Sequence, residues 1–265
     1  VGTRNADRIE GTGGRDVIVG LGGNDFVDGH RGNDLICGNA GSDTLVGGIG
    51  KDWVYGGIYS DEMDGGRGDD RIVGGGSAAR RSALYKGGYG DRVTYAETGH
   101  SVAVNLRTGT AVGYGSDRLI SIEDVVGSPQ DDSILGNGES NSIYGVGGND
   151  RIKAGGDIDF VVGGKGNDRL DGEKGNDTVS YLRASSSVTV DLVSENAQGQ
   201  GNDRLFSFTA VVGTSGSDLI LGDQQDNVLF GRSGDDILRG RKGADELSGG
   251  SGRDACDGEK LHSCE

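Results

Sequence analysis

Acidic and apolar residues recur along this chain with a period of nine. Asp7, Asp16, Asp25, Asp34, Asp43, Asp52, Asp61 and Asp70 each lie nine residues after the last. Two positions after each stands one apolar residue: Ile9, Ile18, Val27, Ile36, Leu45, Val54, Met63 and Ile72. Four positions after each stands glycine, from Gly11 to Gly74. A lone inward apolar side chain between variable positions predicts a strand of about three residues. The six residues before it, such as Gly20-Leu21-Gly22-Gly23-Asn24-Asp25, predict a turn needing positive φ angles and close backbone approach, which glycine supplies cheaply. Strand and turn together wind a flattened coil with two nonapeptides per turn, like turns stacking at about the 4.8 Å strand spacing. A helix is excluded, because period nine with this much glycine sustains no helix face. Each rung buries its apolar residue only against its neighbours.

The same register returns twice. A second array runs through Asp132, Asn141, Asp150, Asp159, Asp168 and Asp177, and a third through Asp218, Asn227, Asp236, Asp245 and Asp254. Residues 91–172 also match 177–258 at a constant offset of 86, pairing Asp91-x-Val93-x-Tyr95 with Asp177-x-Val179-x-Tyr181. A module of this length was duplicated. The chain thus divides into an array at 1–75, an insertion at 76–90, wider β-rungs at 91–131, an array at 132–176, wider rungs again at 177–217, an array at 218–258 and a tail at 259–265. In the wider rungs the alternation Val102, Val104, Leu106 predicts a half-buried strand. The insertion holds Ser77-Ala-Ala-Arg-Arg-Ser-Ala-Leu-Tyr-Lys86, which has no counterpart in the second copy.

Composition narrows the function classes. The chain has 265 residues with 55 glycines and one proline, which excludes collagen. Leu, Ile, Val and Phe make up little over a fifth of it, too few for a large conventional core. Acids outnumber bases 42 to 26, for a net charge of −16, so a nucleic-acid or anionic-membrane surface is not expected. No apolar run is long enough to insert in a membrane. The start, Val1-Gly2-Thr3-Arg4, carries no signal segment, so a secreted form is expected to be processed or excised.

Stacking turns creates an electrostatic problem. Asp7, Asp25, Asp43 and Asp61 fall in one column, and Asp16, Asp34, Asp52 and Asp70 in the other. Two carboxylates about 5 Å apart repel by roughly 3 kcal/mol at an effective dielectric near 20. So thin a core requires cations between the turns. Carboxylate and carbonyl oxygens suit Ca²⁺; Mg²⁺ wants a smaller octahedron, and Zn²⁺ wants His or Cys at ligand spacing.

The units Gly20-Leu-Gly-Gly-Asn-Asp-Phe-Val27-Asp, Gly47-Gly-Ile-Gly-Lys-Asp-Trp-Val54-Tyr and Gly163-Gly-Lys-Gly-Asn-Asp-Arg-Leu170-Asp resemble the RTX, or haemolysin-type, calcium-binding nonapeptide, a known β-helix signature. The resemblance spans essentially all of 1–258 and implies an all-β, right-handed parallel β-roll with Ca²⁺ held between turns. The metal ligands it implies are Asp16, Asp25, Asp34, Asp43, Asp52, Asp70, Asp150, Asp168, Asp236, Asp245 and Asp254, and less closely Asp7, Asp61, Asp132, Asp159 and Asp218. Several to about ten ions are expected. Asn141 and Asn227 replace the aspartate, and Tyr95 and Tyr181 stand where glycine should open the next turn, so the calcium columns are expected to break there.

No catalytic motif stands out: there is no Gly-x-Ser-x-Gly elbow and no His-Glu-x-x-His, and His30, His100 and His262 are scattered. A non-enzyme is expected. A disulfide between Cys256 and Cys264 would fold the tail over the open end of the coil, and favours a secreted, extracellular setting. Cys37 is left as a free thiol or an intermolecular bridge. The expected role is a rigid structural or display module that folds on calcium. The alternatives are an adhesin or self-assembling surface protein with an unknown cell-surface partner, and an accessory domain of a secreted protease, lipase or polysaccharide enzyme.

Overall fold

The computed structural model describes residues 1–76 and 90–264; the 77–86 segment of the expected insertion lies outside them. The chain forms two compact units, Val1–Asn137 and Gly138–Glu265. Each is a parallel β-solenoid, and the described residues contain no helix. None is therefore long and apolar enough to cross a membrane.

In the first unit one sheet stacks Arg8–Glu10, Phe26–Asp28, Thr44–Ile49, Glu62–Arg67, Arg92–Thr94 and Asp124–Val126 in parallel. The opposite sheet stacks Val17–Gly22, Leu35–Ala40, Trp53–Ile58, Arg71–Gly76 and Ser116–Ile120. Val27 lies over Leu45 and Leu45 over Met63, each step eighteen residues, while Ile18, Ile36, Val54 and Ile72 do the same across the coil. Two nonapeptides therefore make one turn. The apolar position buries its side chain completely from Val27 to Ile72. Each such side chain is the whole core of its rung, which is why it is never polar in these arrays.

The glycine-rich turns hold the backbone in the left-handed region. At the second turn position Leu21 and Val146 take φ of 83° and 81°. That is costly for any side chain and most of all for β-branched valine. The stacked hydrogen bonds on both sides of the turn hold it there.

The segments expected as wider rungs take a different form from a longer parallel strand. Ser116–Ile120 continues the parallel sheet, but it is followed in the sheet by Thr110–Val112, antiparallel to both its neighbours, and then by Ala103–Asn105, on which Ser133–Leu135 stacks in parallel again. The second unit repeats this with Asn202–Phe206, Asn196–Gln198, Thr189–Asp191 and Leu219–Leu221. Asx turns start both hairpin loops: Asn105 Oδ1 accepts from the Arg107 and Thr108 amides, and Asp191 Oδ1 from the Val193 amide. The predicted half-buried strand is Ala103–Asn105, with Val102 and Val104 inward.

The parallel stacking of the second unit otherwise matches the first, with Ser142–Gly147 on Phe160–Lys165 and Arg151–Gly155 on Arg169–Glu173. At its end Lys260–His262 pairs with Glu246–Ser251, and Cys256 and Cys264 form a disulfide. Closing a loop of eight residues contributes about 2–3 kcal/mol in the chain-entropy model. Replacing both cysteines by serine is expected to free the terminal strand. Hydrogen exchange should then rise at 255–262 and stay unchanged at 142–170. Cys37 is a free, half-buried thiol on an outward position between Val19 and Tyr55 of the flanking strands' registers.

Candidate metal centre

Each column of aspartates is a hydrogen-bond ladder. The amide of Asp25 donates to Asp43 Oδ1 at 2.8 Å, that of Asp43 to Asp61 Oδ1 at 2.9 Å, and that of Asp61 to Asp91 Oδ1 at 3.1 Å. Across the coil the series is Asp34 to Asp52, Asp52 to Asp70 and Asp70 to Asp117. In the second unit Asp150 reaches Asp168 and Asp168 reaches Asp203, while Asp218, Asp236 and Asp254 form another run. One oxygen of each carboxylate is thus spent on the chain. The aspartates align because the turn before each strand repeats in identical register eighteen residues on.

The second oxygen is the chemically open one. Oδ2 of Asp25, Asp34, Asp43, Asp52, Asp61, Asp70, Asp177, Asp236, Asp245 and Asp254 is buried and accepts no hydrogen bond. A buried polar atom left so is costly, and a buried charge more so. Beside each lies the glycine five residues earlier in a regular repeat. A Cβ placed on Gly47 would stand 2.8 Å from Asp52 Oδ2 and 2.6 Å from the Gly65 carbonyl oxygen one turn on. The turn therefore keeps open a small cradle where a carboxylate oxygen and a carbonyl oxygen from stacked turns converge. The same pairing of glycine with Oδ2 recurs at Gly145 with Asp150 and Gly163 with Asp168. Hard oxygen donors of this kind fit a divalent cation of the calcium type.

The electrostatics agree with that fit. Burial raises Asp52 to about 6, Asp61 to about 7 and Asp70 to about 8; the amide hydrogen bond from the neighbouring aspartate opposes this, and neighbouring carboxylates add to it. Asp177 and Asp236 are pushed up to about 6 by the same burial. With folded values above the unfolded one, protons stabilise the cation-free fold. That contribution is complete below the ordinary carboxylate range and is lost as pH rises through about 6 to 8. In chelator, the far-UV circular dichroism β signal is therefore expected to grow as pH falls from near 8 to near 5. A signal flat over that window would contradict the burial argument.

All sixteen aspartates expected from the sequence fall in the two column types, at the turn position before a strand. Four more that the sequence reading did not count as ligands belong to the ladders: Asp91, Asp117, Asp177 and Asp203. Their signal was the Asp-x-apolar triplet, present in Asp91-x-Val93, Asp117-x-Leu119, Asp177-x-Val179 and Asp203-x-Leu205. Glu123 and Glu259 take the place of the next aspartate for Asp91 and Asp245, each accepting the amide at 2.8 Å. Neither was recognisable, because a glutamate off the nine-residue phase has no repeat to mark it. A further ladder runs at the turn position just before the aspartate, where Asn24, Asn33 and Asn149 accept amides from the next turn.

The family model for the RTX calcium-binding nonapeptide repeat (4 copies) matches residues 1–36, 32–58, 55–78, 122–152, 144–179, 212–247 and 230–260. The stretches between the matches contain the antiparallel hairpins. No curated protein sequence matches the chain significantly. With matches over more than half its length, and with cradled aspartates in the repeat's phase, the chain belongs to the RTX calcium-binding nonapeptide repeat family.

Proposed function

We propose that this chain is a non-catalytic extracellular module that becomes a rigid β-roll by taking up several calcium ions, and that its role is structural or display. The observation that carries this reading is the row of buried Oδ2 atoms with no hydrogen-bond donor, each facing a glycine cradle. The residues that would hold the ions are Asp25, Asp34, Asp43, Asp52, Asp61 and Asp70 in the first unit. In the second they are Asp150, Asp168, Asp177, Asp236, Asp245 and Asp254, with the turn carbonyls beside them; before Asp159 the buried Ala154 takes the place of the cradle glycine. A bound cation supplies positive charge between stacked carboxylates. The chain's part is to desolvate the site, orient one oxygen through the amide ladder and leave the other open.

Two features support the extracellular setting. The Cys256–Cys264 disulfide suits an oxidising compartment. Weak hard-oxygen sites fill only where calcium is millimolar. The test is equilibrium dialysis with radioactive calcium against the whole chain, with magnesium in a parallel sample. Several ions per chain are expected, with at least one lost on Asp43→Asn together with Asp52→Asn. Uptake of no calcium at millimolar concentration would sink the reading, as would equal occupancy by magnesium.

A further inference from the structure

Not all of the column aspartates keep an oxygen open, and the exceptions are ordered. In each unit one carboxylate next to the antiparallel hairpin receives a tyrosine hydroxyl. Tyr95 donates to Asp117 Oδ2 at 3.0 Å and Tyr181 to Asp203 Oδ2 at 3.0 Å. Both rings are buried, and each stands at the position that glycine holds in the regular turns. Where Gly65 leaves room beside Asp70, Tyr95 fills the equivalent room one turn on with a phenol.

On the other side of each hairpin the closure is of a second kind. Ser128 donates both its amide and its hydroxyl to Asp132, and Thr214 does the same to Asp218, at 2.6 and 2.9 Å. Thr3 and Thr12 repeat this on Asp7 and Asp16, the first aspartates of their columns, with distances of 2.6 to 2.9 Å. Tyr95 and Asp117 recur at the offset of 86 as Tyr181 and Asp203, and Ser128 and Asp132 as Thr214 and Asp218. The arrangement therefore occurs twice in one molecule.

The hairpins supply the reason. A regular aspartate such as Asp43 stands between two stacked aspartate turns, one before it and one after it. Beside a hairpin one of these two is replaced: on the following side of the Asp117 strand Thr110–Val112 runs antiparallel, and on the preceding side of Asp132 it is Val102, not an aspartate, whose amide meets Oδ1. A carboxylate there lacks one of its two stacked aspartate turns and receives hydroxyl donors from its own chain instead.

Resting on the calcium-ladder reading above, we propose that Asp7, Asp16, Asp117, Asp132, Asp203 and Asp218 hold no calcium. Hydrogen-bond donors of Thr3, Thr12, Tyr95, Ser128, Tyr181 and Thr214 stand in for the ion, so the calcium sites fall in separate blocks with metal-free rungs around each hairpin. The tyrosine hydroxyls and the Thr and Ser donors act as positioning residues that bound the blocks.

The test counts calcium ions per chain at saturation by equilibrium dialysis. Asp117→Asn with Asp203→Asn, and separately Asp132→Asn with Asp218→Asn, are expected to bind as many ions as the unaltered chain. Asp52→Asn with Asp168→Asn is expected to lose at least two. Loss of ions from either of the first two variants, matching the loss from the third, would overturn the proposal while leaving the calcium ladder standing. No loss from any variant would remove the ladder reading and the proposal with it. Should an asparagine variant fail to fold, Tyr95→Phe with Tyr181→Phe supplies an independent measurement. The ion count should then stay equal or rise, because the vacated room lies beside a carboxylate. A fall would make the hydroxyls ligands and would overturn the proposal.

Discussion

Stripped of divalent cations near neutral pH, this chain is expected to lose most of its β structure and to recover it cooperatively on addition of calcium. The rungs bury one apolar side chain each, while the columns bury carboxylates whose second oxygen accepts nothing from the chain. A site with Kd near 10⁻⁴ M in millimolar calcium contributes about 1.4 kcal/mol. Ten such sites reach on the order of 14 kcal/mol, the size of a whole domain's stability. Without the ions that contribution vanishes and the like charges remain. Far-UV circular dichroism after chelation, followed by separate calcium and magnesium titrations, measures this directly. A coil-like spectrum converting steeply with calcium is the expected result. A complete β spectrum in excess chelator near pH 8 would show that the apolar spine suffices alone.

The second large effect is expected from one methyl group. Gly47→Ala puts a carbon 2.8 Å from Asp52 Oδ2 and 2.6 Å from the Gly65 carbonyl. The carbonyl is backbone, the carboxylate is held through its other oxygen by the Asp34 amide, and both are closer than carbon and oxygen tolerate. The methyl also occupies the cradle, so the variant should lose stability by about 3 kcal/mol and bind fewer ions. Gly13→Ala is the control, since nothing lies within 4 Å of a Cβ there. Thermal melts in calcium compare the two. Equal melting temperatures would mean that the turn relaxes around the methyl and that the cradle is not a tight site.

Much of this was legible in the sequence because the physics of a nonapeptide is local. Val27, Leu45 and Met63 are inward for the same reason that Asp25, Asp43 and Asp61 align: one short strand and one turn repeat in fixed phase. What escaped was set by distant pairing. The alternation at Val102 and Val104 marks a strand, but nothing local reveals that its neighbour Thr110–Val112 runs antiparallel. Ile72 lies against Leu119, 47 residues away, so Asp117 joins the ladder across a break that hides its phase. Tyr95 and Tyr181 were recognisable as interruptions from the missing glycine. That their hydroxyls end on Asp117 and Asp203 follows only from the folded rung.

The two-nonapeptide turn also governs which changes of length the chain tolerates. Removing eighteen residues, from Asp34 through Lys51 for instance, joins like to like: every later strand keeps its sheet, its outward neighbours and its column. Removing nine keeps the apolar spine and the aspartate phase, yet sends each later nonapeptide of that array to the opposite sheet. The outward row in which Trp53 now follows Leu35 would be reassembled from the other face's residues, and the hairpin would have to open from the other sheet. Length in this molecule is therefore counted in pairs, and an insertion that preserves the motif can still exchange one surface for the other.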